Sequence, residues 1–127
     1  MKRTDGFTLV EVMIVMAIFA ILILIATPAW LRARENSRSR ACQENLQKIH
    51  GAIEEWGLEN RQPNGVKAPD LVDLCGHELY IKKTPECPSD GVYDTAFLGD
   101  APLCSIGETN VPYPPHIYSG GGFVTEN

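Results

Sequence analysis

No Cys-x-x-Cys pair, nucleophile elbow, phosphate-cradling glycine loop or metalloprotease helix motif occurs in this 127-residue chain. Those absences argue against a zinc ribbon, a serine hydrolase, a nucleotide-binding enzyme and a zinc protease. His50, His77 and His116 have no nucleophile pattern beside them and are expected at the surface. There is no internal repeat and no Asn-x-Ser/Thr sequon to carry N-linked sugar. Residues beyond 65 hold few periodic segments. The most telling absence lies near the start: from Val12 to Ala26, fifteen successive residues carry neither charge nor polar side chain.

Phe7 to Leu31 makes a stretch of 25 mostly apolar residues. As a helix it would reach ~37 Å, enough to cross a hydrocarbon core of ~30 Å. A secretory signal would have a shorter apolar region and a small-x-small cleavage site. Ala26-Thr27-Pro28-Ala29 serves that role poorly because Pro28 intrudes. A plain signal anchor would leave one residue unexplained. Glu11 stands at the mouth of the run, where a carboxylate costs on the order of 2.5–3.5 kcal/mol on insertion scales. Lys2 and Arg3 precede the span, so Met1 is expected on the cytoplasmic side and the four cysteines on the outer side, where disulfides persist.

The remaining ~90 residues suffice for one small domain with a modest core. Residues 1–40 carry six Lys/Arg against three Asp/Glu, and residues 41–127 carry five against thirteen. The distal part is thus an acidic domain, and no direct nucleic-acid contact is expected. A single helix is expected from about 7 to 58, with a kink or local unwinding near Leu24–Pro28, since Pro28 lacks an N–H. Trp30 suits a membrane interface. Arg32, Arg34, Arg38 and Arg40 follow it, read first as snorkelling and a solvated face. Pairing with acidic surfaces of neighbouring subunits is a sharper reading, and DNA contact a third. Cys42, Leu46, Ile49, Ile53 and Trp56, spaced by 4, 3, 4 and 3, share one face that needs a partner. Gly51 and Gly57 each weaken the helix by ~1 kcal/mol relative to alanine, Gly57 marking its approaching end. Asn60–Gly65 is a turn cluster. Beyond it, a short helix over Pro69–Leu74 is expected. Short strands are expected at Leu79–Ile81, Val92–Leu98 and Pro102–Ile106, followed by a loop-like, partly mobile tail through Pro112–Pro115 and Gly120–Gly122.

Residues 1–31 closely resemble the type IV pilin superfamily. Met1-Lys2-Arg3-Thr4-Asp5-Gly6 is short, net basic and ends in glycine, as prepilin leaders do, although Asp5 departs from the usual leader. Gly6-Phe7 resembles the prepilin peptidase junction, and Phe7-Thr8-Leu9-Val10-Glu11 matches the opening of a mature pilin. Pro28 matches the proline that interrupts the long pilin helix. The resemblance implies an α+β fold: a long kinked amino-terminal helix, half membrane-embedded, carrying a small disulfide-linked β-containing head. The domains would be 1–6 leader, 7–31 transmembrane and filament-core helix, and 32–127 soluble head, with helix to 60 and short strands after 61.

It also implies roles. A cleaved, N-methylated Phe7 would carry a cationic amine one helical turn from Glu11. Glu11 is expected to recognise the Phe7 amine of an adjacent subunit during assembly. The four cysteines permit three pairings. The pilin habit of closing the carboxy-terminal region with the last two favours Cys87–Cys104, leaving Cys42–Cys75. Secretion pseudopilins bind calcium in distal loops, which makes Asp90, Asp94 and Asp100 weak candidates. The acids match no calcium-loop spacing, so solvated turns are the default and no resident metal or cofactor is expected. The function so implied is a structural filament subunit, not an enzyme. Its partners would be identical subunits, the prepilin peptidase, an inner-membrane platform protein and an assembly ATPase. A major pseudopilin of type II secretion is the alternative within the superfamily. A membrane-anchored ligand-binding module that never polymerises is the alternative outside it. Before assembly the chain would span the inner membrane once; afterwards it would lie in a periplasmic or extracellular filament.

Overall fold

A computed structural model describes residues 6–110, 112–118 and 120. The leader residues 1–5 and the Gly121-Gly122 part of the tail lie outside the described residues. The chain divides into two compact units, Met1–Arg34 and Glu35–Asn127. Helix α1 spans Leu9–Glu59, α2 Leu71–Leu74, β1 Tyr93–Asp94 and β2 Leu103–Cys104. This is the α+β arrangement expected, with less strand than expected. β1 and β2 pair antiparallel, Tyr93 opposite Cys104 and Asp94 opposite Leu103. Single bridges Lys67–Phe97 and Cys75–Ile81 stand where the longer strands Val92–Leu98 and Leu79–Ile81 were expected, and a third bridge, Gly107–His116, falls outside the expected strands.

In the first unit, α1 continues through Pro28 without a break, so of the kink or local unwinding expected near Leu24–Pro28 the unwinding does not occur. The Thr27 hydroxyl donates to the Ile23 carbonyl at 2.6 Å, a polar contact inside the helix beside the proline. Every large apolar side chain of this unit is exposed, from Phe7 to Leu31. The Arg34 guanidinium lies 5.8 Å from the Trp30 ring centroid, a cation–π stack rather than a free charge.

The second unit is built on the distal part of α1. Cys42, Leu46, Ile49 and Ile53 are fully buried, and Trp56 packs against the same cluster. Their covering partners are Ala68, Leu74, Cys87, Tyr93, Leu98 and Cys104. The helix ends in a left-handed residue, Arg61, with φ 50°. Arg61 donates its N–H to Leu58 and Gln62 donates to Gly57, closing a Schellman motif that glycine more often occupies. Gly57 has a use beyond fraying. A Cβ there would stand 2.6 Å from both δ-carbons of Leu98, so its bare backbone lets the Leu98 side chain close on α1.

The tail is anchored although it is irregular. Ser39 Oγ donates to the Pro115 carbonyl at 2.7 Å, and Gln43 Nε2 donates to the same oxygen at 3.1 Å. Asn110 Nδ2 donates to the Pro114 carbonyl at 2.9 Å, which tightens the turn before it.

Candidate functional site

At the amino end of the described chain, Thr8 is the N-cap of α1 and Glu11 its third residue. The Thr8 N–H and Thr8 Oγ1 both donate to Glu11 Oε2 at 2.8 Å. The Glu11 N–H returns a bond to Thr8 Oγ1 at 3.3 Å. This is a capping box, in which one side chain satisfies the other's backbone donor. The carboxylate also sits at the positive end of the helix dipole. A carboxylate at the head of an apolar helix thus has a local use in the uncleaved chain, apart from any partner subunit. The signal was present as Thr8-x-x-Glu11 directly before an apolar run, a pattern that marks helix starts.

Gly6 is exposed, with no atom within 4 Å of where a Cβ would stand. Phe7 is 88% exposed. The junction is therefore open to another protein.

The head brings together a second group of residues. Ligand atoms of Cys42, Cys87, Cys104 and His116 all lie within 4.8 Å of one another, and all four residues are buried. Cys104 Sγ is 3.9 Å from Cys87 Sγ, and His116 Nδ1 is 3.5 Å from Cys87 Sγ. No S–S bond joins any two of the four cysteines in this structure. Cys87 and Cys104 do meet, but Cys42 joins them rather than Cys75, because Cys42 points from α1 toward the loop and strand that carry the other two. Cys75 lies outside this group, only partly buried, in a bridge with Ile81. His116, expected at the surface, is fully buried.

Burial is the leading influence on these groups. It pushes the Cys42 thiol up, opposed by a hydrogen bond from Tyr93. It pushes the Tyr93 phenol up as well. It pushes the His116 imidazole down, opposed by the Glu35 carboxylate. By contrast, Asp90, Asp94 and Asp100 are exposed and, among the described residues, form no three-carboxylate group at ligand distance.

Comparison with known proteins agrees with the amino-terminal geometry. Residues 1–27 match the family described as the prokaryotic N-terminal methylation motif. The chain is 30% identical over 84 residues to the competence protein ComGC of Halalkalibacterium halodurans, covering 66% of this chain and 76% of that protein. It is 31% identical over 84 residues to ComGC of Bacillus subtilis, covering 66% and 81%. It is 30% identical over 90 residues to type II secretion system core protein G of Klebsiella pneumoniae, covering 68% and 63%. No solved structure matches it significantly. With the methylation motif, the apolar helix and these relatives together, the chain belongs to the type IV pilin and pseudopilin superfamily.

Proposed function

We propose that the chain is the structural subunit of a type IV pilus-like filament, held in the inner membrane as a prepilin, cleaved after Gly6 and then polymerised. The observation that carries this reading is the apolar amino-terminal part of α1, where none of the most apolar window is buried within the chain. Such a surface needs lipid first and other helices afterwards. Covering it relative to water is worth ~25 cal/mol per Å² of apolar area. Transfer out of lipid yields far less, so assembly draws on an external energy source, in keeping with a platform protein and a cytoplasmic ATPase. Lys2 and Arg3 hold the amino terminus on the cytoplasmic side until the subunit is extracted.

Glu11 is the recognition element. Both Thr8 bonds fall on Oε2, which leaves Oε1 to accept from a cation. Cleavage turns the Phe7 peptide nitrogen into an amine that titrates near pH 7.7–8.0 and is largely cationic at neutral pH. That amine, offered by an adjacent subunit, supplies the partner that an acid among packed apolar helices requires.

The relatives include competence proteins and a secretion core protein, and the same subunit design serves a pilus or a secretion pseudopilus. Shearing cells and analysing the released filaments by mass spectrometry tests the reading. The expected subunit lacks Met1–Gly6, begins at Phe7 and carries one added methyl group. Filaments built of chains with Met1 intact, or no filament containing this chain, would contradict it.

A further inference from the structure

Three thiols and one imidazole converge in the head from four separate segments. Cys42 comes from α1, Cys87 from the loop before β1, Cys104 from β2 and His116 from the anchored tail. We propose that Cys42, Cys87, Cys104 and His116 bind one zinc ion in a closed tetrahedral site that ties the head together.

The spacing fits the ion. Zinc bound by sulfur at ~2.3 Å and imidazole nitrogen at ~2.0–2.1 Å sets ligand atoms about 3.8 Å apart for S···S and about 3.6 Å apart for S···N. The Cys87–Cys104 sulfur separation is 3.9 Å, and the Cys87 sulfur to His116 Nδ1 separation is 3.5 Å. No pair exceeds 4.8 Å, so shifts of about 1 Å complete the tetrahedron. Three thiolates and one imidazole in a tetrahedron are the donor set and geometry of a structural zinc site. All four donors are buried, which suits a structural ion without an open coordination position.

The donors are held in place by their surroundings. The His116 N–H donates to the Gly107 carbonyl at 2.8 Å, and the preceding carbonyl, that of Pro115, is held by Ser39 and Gln43. Asn45 Nδ2 donates to the Glu86 carbonyl at 3.0 Å and to the Tyr93 hydroxyl at 3.2 Å, fixing the loop that delivers Cys87. A Cβ at Gly91 would stand 2.6 Å from Cys104 Sγ, so glycine makes room for that sulfur.

A disulfide uses these groups less completely. A Cys87–Cys104 bond would leave the Cys42 thiol and the imidazole buried together with no covalent partner. Zinc engages all four. On binding, each of the three thiols loses its proton and His116 binds as a neutral imidazole through Nδ1, so a doubly charged cation meets three negative charges and the site is left with one. In a head with a modest core, such an ion contributes directly to folding.

The proposal does not depend on polymerisation and is tested on the full chain purified in detergent without chelator. Metal content by mass spectrometry and thiol counting after denaturation are read on the same sample. The expected result is one zinc per chain and four titratable thiols. Cys42→Ser and His116→Ala should lower zinc retention to about a tenth or less under dialysis, whereas Cys75→Ser should retain it fully. Because the first two variants also threaten folding, cobalt substitution of the unaltered chain provides an independent reading. Thiolate-to-cobalt charge transfer with tetrahedral d–d bands is expected, and His116→Cys should retain the metal and shift those bands toward a four-thiolate spectrum. A folded, zinc-free chain with a Cys87–Cys104 disulfide would overturn the proposal. So would zinc content that is unchanged by Cys42→Ser, or lost equally with Cys75→Ser.

Discussion

Thr8 and Glu11 bind one another reciprocally at the start of α1, the Thr8 N–H donating to Glu11 Oε2 at 2.8 Å and the Glu11 N–H to Thr8 Oγ1 at 3.3 Å. The acid therefore orders the first helical turn in the uncleaved chain and, on the proposed reading, keeps one oxygen for a partner. Thr8→Ala should remove the cap and weaken the first turn by roughly 0.5–2 kcal/mol, while Thr8→Ser should preserve it. Hydrogen exchange in detergent checks this: the Val10 and Glu11 amides should exchange faster in Thr8→Ala alone. Equal exchange in both variants would mean that the box contributes nothing to order.

Two glycines of the same helix should respond in opposite directions. Gly51 is exposed with nothing within 4 Å of a Cβ position, so Gly51→Ala should stabilise the head by up to ~1 kcal/mol through helix propensity. At Gly57 the added methyl meets the Leu98 δ-carbons at 2.6 Å. Overpacking of that kind costs roughly 1–3 kcal/mol and should outweigh the propensity gain. Denaturant midpoints of the two variants are the measurement, and a rise for Gly57→Ala equal to that for Gly51→Ala would contradict the packing account.

Ser39→Ala should loosen the tail. It removes the 2.7 Å bond to the Pro115 carbonyl and leaves the longer Gln43 bond at 3.1 Å to hold that oxygen. The expected loss is about 1 kcal/mol. Limited proteolysis at Tyr113 and Tyr118 should accelerate, with the remainder of the head still protected.

Much of this structure could be read from the chain because it follows short-range rules. The stripe Cys42, Leu46, Ile49 and Ile53 repeats at helical spacing, and all four side chains are buried together. The apolar run after Glu11 and the Gly6-Phe7 junction are contiguous signals, and they led to the family that the comparisons support. The capping box was equally local but stood in the shadow of the Phe7 amine as the explanation for Glu11. What escaped were contacts between distant segments. His116 lies in a proline-rich tail with no ligand spacing to any cysteine, and only the fold carries it 29 residues back to Cys87. Gly57 likewise has no local signal for its packing role, since Leu98 approaches it from another segment. Strand is shorter than expected because Val92–Leu98 forms only the Tyr93–Asp94 pair with β2 and one bridge at Phe97.

Replacing Glu11 with alanine tests the central claim most directly. In a strain lacking the unaltered subunit, Glu11→Ala should be inserted and cleaved, since the junction lies at Gly6 and the apolar run is intact. It should then accumulate as mature protein in the inner membrane while sheared filaments fall below detection by immunoblot, because no carboxylate remains to receive the Phe7 amine. Glu11→Asp, with its charge kept and its reach shortened, should give a reduced yield. Normal filament yield from Glu11→Ala would contradict the account.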